Sequence, residues 1–123
     1  MATVGAMVAV VEDDVAMRKS IERLLQASGF ATATFASGQD FLQSDVATTA
    51  RVLVLDMHLD GMSGLELQRR RVAAGSSCPV IFITAYEDED NRKQALRLGC
   101  TAYLQKPFEA HQLIEALNRG LLG

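Results

Sequence analysis

Acidic, hydroxyl and lysine side chains follow four short apolar segments of the sequence, each at the point where its segment ends. In chain order they are Glu12, Asp13, Asp14, Asp56, Thr84 and Lys106. Carboxylates that are brought together repel one another unless a proton or a cation lies between them. Their oxygen atoms favour a hard cation, and Mg²⁺ in particular where phosphate is also present. An aspartate in such a group can attack phosphorus and form an aspartyl phosphate, while a lysine and Mg²⁺ neutralise the charge on the transferred group.

The elements that position these residues form an alternating pattern. Apolar runs rich in β-branched residues are typical of strands buried on both faces, and they fall at 6–11, 31–35, 51–55, 79–83 and 101–104. Helical patterns lie between them, and the first has one apolar stripe containing Met17 and Ile21, with Gly29 as its expected stop. Ser37 is expected to cap a short helix and Ser63 a longer one. Acidic residues 87–90 suit the start of the next helix.

Five consecutive β-α units predict a parallel sheet with right-handed crossovers and helices on both faces. An eight-fold β/α barrel needs about 250 residues, and this chain has 123. We therefore predict a doubly wound α/β domain that covers residues 1–123, with five strands and five helices. Ligands of such sheets bind outside the carboxyl ends of the strands, where the polar residues above would meet.

Four segments resemble the signature positions of the receiver domains of two-component response regulators. They are residues 10–14 (VVEDD), 53–56 (LVLD), 83–85 (ITA) and 106–108 (KPF). They occur in the family's order and spacing, and the resemblance extends over nearly the whole chain. The resemblance implies a flavodoxin-like fold with strand order 2-1-3-4-5. It also implies a regulatory phosphoacceptor, not an enzyme with a separate substrate, which catalyses only its own phosphorylation and dephosphorylation after contact with a sensor histidine kinase or a phosphotransfer protein.

The resemblance further implies a phosphoacceptor and a metal site. Asp56 matches the aspartate that accepts phosphate. Asp13 matches the carboxylate that binds Mg²⁺ directly, and Glu12 matches its partner, which often acts through water. His58 matches the position whose backbone carbonyl completes the metal shell. Asp60 stands where the family usually has proline, so we expect the loop after Asp56 to be more mobile.

Switch residues are implied in the same way. Thr84 matches the hydroxyl that follows the phosphoryl group, Lys106 matches its cationic partner, and Tyr103 matches the aromatic residue that turns inward or outward with activation. The peptide bond before Pro107 is expected to be cis. The helix after the fourth strand, the fifth strand and the last helix would form the signalling surface, which is a possible homodimer interface. We also expect Tyr86, two residues after Thr84, to slow the hydrolysis of the aspartyl phosphate.

Simpler interpretations remain open for several residues. Asp14 could be only a helix-terminal carboxylate, His58 a loop residue without a side-chain role, and Tyr103 an ordinary core residue. Two other functions also compete. A haloacid-dehalogenase-like phosphohydrolase would need a second carboxylate that Asp56-Met57-His58 lacks, and a receiver-like module could have lost phosphorylation.

Composition excludes several other classes. The formal charge is −3, so we expect no direct nucleic-acid binding. The basic run of residues 69–71 is predicted to be a solvated helix face. Cys78 and Cys100 lack the spacing of a zinc site and are expected to be small buried apolar residues. No apolar run approaches the roughly 20 residues that span a membrane, and we expect a cytoplasmic location.

Overall fold

The computed structural model describes residues 6–86 and 88–122. Its strands are β1 Met7–Val11, β2 Ala31–Phe35, β3 Val52–Asp56, β4 Val80–Thr84 and β5 Ala102–Gln105. Its helices are α1 Val15–Ala27, α2 Gly38–Leu42, α3 Val46–Thr49, α4 Gly64–Ala73, α5 Glu89–Arg97 and α6 Ala110–Leu122. Each predicted strand is found within one residue of its expected limits. Glu87, which the sequence places at the start of α5, lies outside the described residues.

The five strands form one parallel sheet in the order β2-β1-β3-β4-β5. The predicted flavodoxin-like fold and strand order are therefore confirmed. The register places Asp56, the last residue of the central strand β3, beside Ile83 of β4. The carboxyl ends of β3 and β4 thus lie side by side at one edge of the sheet.

Alternate residues of each buried strand face opposite sides of the sheet and create two apolar cores. On one side, Val8, Val54 and Ile81 pack with residues of α1 and α6, such as Leu25 and Leu113. On the other side, Val11, Leu55 and Phe82 pack with Phe41 of α2 and Leu67 of α4. Because helices cover both faces of the sheet, packing on each side fixes the positions of the strand ends.

Short polar side chains begin four of the helices. The carboxylate of Asp14 accepts a hydrogen bond from the Met17 N–H, at 2.8 Å, and caps α1. Ser37, Ser63 and Asp88 cap α2, α4 and α5 in the same way. Asp14 is therefore a helix cap, as its simpler interpretation held.

The described residues contain six helices, and the prediction of five was too low. The extra helix is the single turn α3. Its Val46 and Ala47 pack against the second core, while the hydroxyl groups of Thr48 and Thr49 donate to the Asp45 carbonyl. A turn this short carries no helical apolar stripe, so the sequence pattern did not reveal it.

The predicted solvated face of residues 69–71 is wrong for one residue. Arg69 and Arg70 are exposed, but Arg71 is only 6% exposed. Its guanidinium carbon lies 5.1 Å from the centre of the Phe41 ring. Packing of α4 against α2 turns Arg71 inward, because a helix places consecutive residues on different faces.

Cys78 and Cys100 are free thiols that lie partly buried at the margin of the second core. Burial raises the pKa of both thiols. Among the described helices, none is both long and apolar enough to cross a bilayer.

Candidate functional site

The structure brings the predicted acidic residues together beyond the ends of β1 and β3. Glu12 and Asp13 follow the last residue of β1, and Asp56 ends β3. Each offers a carboxylate oxygen, and these three oxygens all lie within 4.8 Å of one another. Glu12 and Asp56 are buried, while Asp13 is partly exposed. The cluster is therefore a concentrated negative site with one open side.

Lys106, which follows β5, joins this cluster from across the sheet. Its Nζ lies 2.5 Å from Glu12 Oε1 and 3.5 Å from Asp56 Oδ2. The Lys106 side chain is 14% exposed, so the contact is shielded from water. The peptide bond between Lys106 and Pro107 is cis, as the resemblance implied.

Ionisation in the site reflects burial and crowding. Burial raises the pKa of Glu12 to about 7, with a further increase from its contact with Asp56, although the hydrogen bond to Lys106 opposes the change. For Lys106, burial lowers the pKa, but the hydrogen bond to Glu12 and the charges of Asp56 and Glu12 outweigh it and leave the pKa above its ordinary value. The site therefore holds more negative charge than one lysine can balance.

Backbone N–H groups hold the side chains of Asp13 and Asp56, and Arg18 holds the backbone of Glu12. The His58 N–H donates to Asp56 Oδ1 at 3.1 Å, and the Asp60 N–H donates to Asp13 Oδ2 at 3.2 Å. Arg18 Nη1 donates to the Glu12 carbonyl at 2.8 Å. A proline at 60 would have no N–H to donate, so this departure from the family's pattern ties the loop to Asp13. The higher mobility predicted for this loop stays a prediction.

Gly64 lies directly against the backbone of Asp56, and it was not predicted from the sequence as a residue of the site. A Cβ atom added at Gly64 would lie 2.2 Å from the Asp56 carbonyl oxygen. The first turn of α4 can approach the end of β3 this closely only because the residue has no side chain. The glycine directly after the helix cap Ser63 was the available signal.

Thr84 ends β4 beside Asp56 and is fully buried. Its hydroxyl donates to the Tyr86 carbonyl at 2.9 Å and accepts from the Tyr86 N–H at 3.1 Å. The threonine hydroxyl therefore holds the backbone of Tyr86, at the start of the loop after β4.

Tyr103 borders a small cavity of about 150 Å³ together with Thr84, Asp88, Arg92 and Gln105. Its ring packs against the second core. Its hydroxyl is buried without a hydrogen-bond partner among the described residues, and burial raises its pKa. Buried hydroxyl groups without a partner are unusual, and a switch role for Tyr103 stays a prediction.

The side chains of His58 and Tyr86 meet above the carboxyl edge. Their ring centres are 5.1 Å apart, and the planes are nearly perpendicular at 85°. Tyr86 is 66% exposed. The loops after β3 and β4 thus touch through these two rings, and an effect of the rings on access of water to Asp56 stays a prediction.

The donor set fits a hard divalent cation. Three carboxylates from two strand ends supply the oxygen ligands that Mg²⁺ and Ca²⁺ prefer. A bound dication would favour the ionised form of Glu12, whose pKa is raised first of all by burial. An aspartate, a lysine and a hydroxyl at the same edge are the groups that phosphoryl transfer to a carboxylate requires.

Comparisons with known proteins agree with this chemistry. The family model described as the response regulator receiver domain matches residues 8–118. The transcriptional regulatory protein TdiR of Thauera aromatica is 37% identical over 117 residues, which cover 95% of this chain and 52% of that protein. Nodulation protein W of Bradyrhizobium diazoefficiens is 36% identical, with coverage of 94% and 51%. The chain thus spans about half the length of these curated relatives.

Solved structures show the same relationship. The response regulator StyR superposes with a TM-score of 0.89 at 37% identity, over 97% of this chain and 60% of that chain. The crystal structure of FixJ-N superposes with a TM-score of 0.85 at 34% identity, over 95% of this chain and 94% of that chain. Receiver domains generally bind Mg²⁺, and the acidic cluster of this chain is suited to it. The chain belongs to the response regulator receiver domains, the phosphoacceptor domains of two-component signal transduction.

Proposed function

We propose that Asp56 is the residue of this domain that accepts the phosphoryl group. The observation that carries the proposal is the contact of Lys106 with both Glu12 and Asp56 inside the acidic cluster. Lys106 comes from a strand end distant in sequence, and its position supplies a positive charge where phosphoryl oxygens would arrive. The proposed domain extends over residues 1–123.

A bound Mg²⁺ would neutralise charge on the phosphoryl oxygens. Asp13 and Asp56 would bind it directly, Glu12 would bind it directly or through water, and the backbone carbonyl of His58 would add a ligand. The support is the 4.8 Å grouping of the three carboxylates and the hydrogen bond that orients Asp13.

The phosphoryl donor proposed for this site is the phosphohistidine of a sensor histidine kinase or a phosphotransfer protein. An Asp56 carboxylate oxygen attacks phosphorus, the phosphorus–nitrogen bond breaks, and the ring nitrogen leaves with the electron pair and takes up a proton from water to give neutral imidazole. Lys106 moves its hydrogen bond from Glu12 or Asp56 to a phosphoryl oxygen. The domain performs this reaction on itself and has no separate substrate that it turns over.

Phosphorylation would change the surface made by α5, β5 and α6. To reach a phosphoryl oxygen, the Thr84 hydroxyl must give up its bond to the Tyr86 carbonyl, so the loop after β4 would move. Tyr103 borders the cavity beside Thr84, and its ring would follow that loop. Phosphorylation would shift an existing equilibrium between inactive and active conformations of the domain, as a ligand does. The altered surface would then bind a partner, which includes a second copy of this domain.

Incubation with Mg²⁺ and a small phosphodonor, followed by intact-mass measurement, tests the function. The proposal predicts a stable adduct of one phosphoryl group. Turnover of the donor without an adduct would indicate the phosphohydrolase. Absence of both would indicate an interaction module that has lost phosphorylation.

A further inference from the structure

A cleft of about 770 Å³ lies at the end of the sheet opposite Asp56. Its walls come from the chain between α2 and β3, the end of α4 and the turn that leads into β4. They include Leu42, Ala47, Arg51, Arg70, Arg71 and Pro79. These segments border the amino ends of β3 and β4, whereas Asp56 ends β3 at its carboxyl end. The cleft is therefore separate from the phosphorylation site.

Arg71 is the unusual residue of this cleft. It is 6% exposed, and buried cations are ordinarily paired with an anion. Yet no aspartate or glutamate of residues 6–86 and 88–122 forms an ion pair with it. Its guanidinium lies against the Phe41 ring, and Nη2 donates to the Ser76 hydroxyl at 3.1 Å. A guanidinium has five N–H groups, and this bond uses one.

The charge around Arg71 is positive although the chain as a whole is negative. Arg51 and Arg70 also line the cleft and are exposed. Arg70 pairs with Glu66 at 3.1 Å, but the lining, all within the described residues, contains no aspartate or glutamate. Arg51 has no carboxylate partner among the described ion pairs. Arg51 and Arg71 thus place positive charge in the cleft that no carboxylate of its lining neutralises.

Apolar atoms complete the cleft. Leu42, Ala47, Ala74 and Pro79 contribute to its walls. A volume of this size, apolar walls and a few polar groups at fixed positions characterise small-molecule sites. A guanidinium that lies over an aromatic ring can still bind a carboxylate or phosphate through two parallel hydrogen bonds.

We propose that this cleft binds a small organic anion whose carboxylate or phosphate group contacts Arg71 and whose apolar body packs against Leu42 and Ala47. The contact with the Phe41 ring uses the charge of Arg71, and the hydrogen bond to Ser76 uses one of its five N–H groups, so further N–H groups remain for an anion. Arg51 would add charge at the rim of the cleft. The proposal is independent of phosphorylation, because every residue it uses lies at the other end of the sheet.

Benzoate and its neutral analogue benzamide test the proposal on the whole chain, with EDTA present to exclude metal effects. Backbone amide NMR signals are followed as each compound is added. Benzoate is expected to shift signals of residues 47–51 and 70–79 with a dissociation constant on the order of 1 mM, and benzamide to shift them far less. Raising the salt concentration should weaken benzoate binding.

Three arginine variants locate the site. Arg71→Gln should weaken benzoate binding about tenfold, the value of a charged hydrogen bond, and Arg51→Gln should weaken it roughly threefold, as an exposed charge does. Arg23→Gln, which removes an exposed arginine of α1, should leave it unchanged. Because Arg51 is exposed, its variant keeps the test decisive if Arg71→Gln does not fold.

Three results would overturn the proposal. The first is no shift of these signals at roughly ten times the expected dissociation constant. The second is equal binding of benzoate and benzamide, which would show that the charge is not recognised. The third is unchanged benzoate affinity in Arg51→Gln and in folded Arg71→Gln.

Discussion

Replacing Glu12 with glutamine should stabilise the metal-free domain, and the gain should depend on pH. The Glu12 side chain is 1% exposed, and its pKa of about 7 compares with an ordinary value of 4.5. Each pH unit between the two values corresponds to about 1.4 kcal/mol. Over the full interval between the two pKa values, ionisation of Glu12 therefore lowers the free energy of unfolding by about 3 kcal/mol.

The direction follows from proton binding. Below pH 4.5 the carboxyl is protonated in both the native and the unfolded chain, so it costs nothing. Between pH 4.5 and about 7 the native state keeps a proton that the unfolded chain has lost, so the free energy of unfolding falls as pH rises. Above about pH 7 the full cost is present. Glutamine cannot ionise and avoids it.

Urea unfolding in EDTA at pH 5 and pH 8 measures the effect. Glu12→Gln should match the wild type to within about 1 kcal/mol at pH 5 and exceed it by about 3 kcal/mol at pH 8. Glu115→Gln, which changes an exposed carboxylate of α6, should stay within about 0.5 kcal/mol at both pH values. At pH 8, Mg²⁺ should reduce the difference in unfolding free energy between Glu12→Gln and the wild type, because Mg²⁺ stabilises the wild type. A difference that is the same at both pH values, or a less stable Glu12→Gln at pH 8, would refute the reasoning.

Three further predictions concern the surroundings of Asp56. Gly64→Ala should lower the free energy of unfolding by about 2 kcal/mol, because its Cβ would lie 2.2 Å from the Asp56 carbonyl oxygen. Gly38→Ala, whose Cβ has no neighbour closer than 3.5 Å, should not lower it. Equal urea midpoints for Gly64→Ala and the wild type would contradict the close approach of Gly64 to Asp56. Tyr86→Ala should shorten the lifetime of the phosphorylated form severalfold, since the ring excludes water. His58→Ala should change this lifetime in either direction. Equal rates of phosphate release in both variants and the wild type would count against a role for these rings. Fluoroberyllate, a phosphoryl mimic, should shift backbone NMR signals across α5, β5 and α6, and shifts limited to the Asp56 pocket would argue against the proposed signalling surface.

The strands and the grouping of polar residues at their ends could be predicted from the sequence. The β-branched runs before Glu12 and Asp56 are continuous and short, as buried parallel strands require. Parallel pairing then brings strand ends to one edge, so Lys106 reaches Glu12 although they are 94 residues apart. The structure places these residues together, while their chemical roles stay predictions.

Details set by long-range packing could not be predicted. The burial of Arg71 depends on how α4 packs against Phe41, and the neighbouring Arg69 and Arg70 look identical in sequence. The hydrogen bond from the Asp60 N–H to Asp13 joins residues 47 apart through a backbone group, which leaves no mark on residue type.

Asp56 is proposed to accept phosphate in a Mg²⁺-dependent reaction, and intact-mass measurement on matched proteins can detect this modification. Wild type and Asp56→Asn are incubated with a small phosphodonor, each with Mg²⁺ and with EDTA. We expect one phosphoryl adduct on the wild type with Mg²⁺, little with EDTA, and none on Asp56→Asn in either condition. Full modification of a folded Asp56→Asn protein would contradict it.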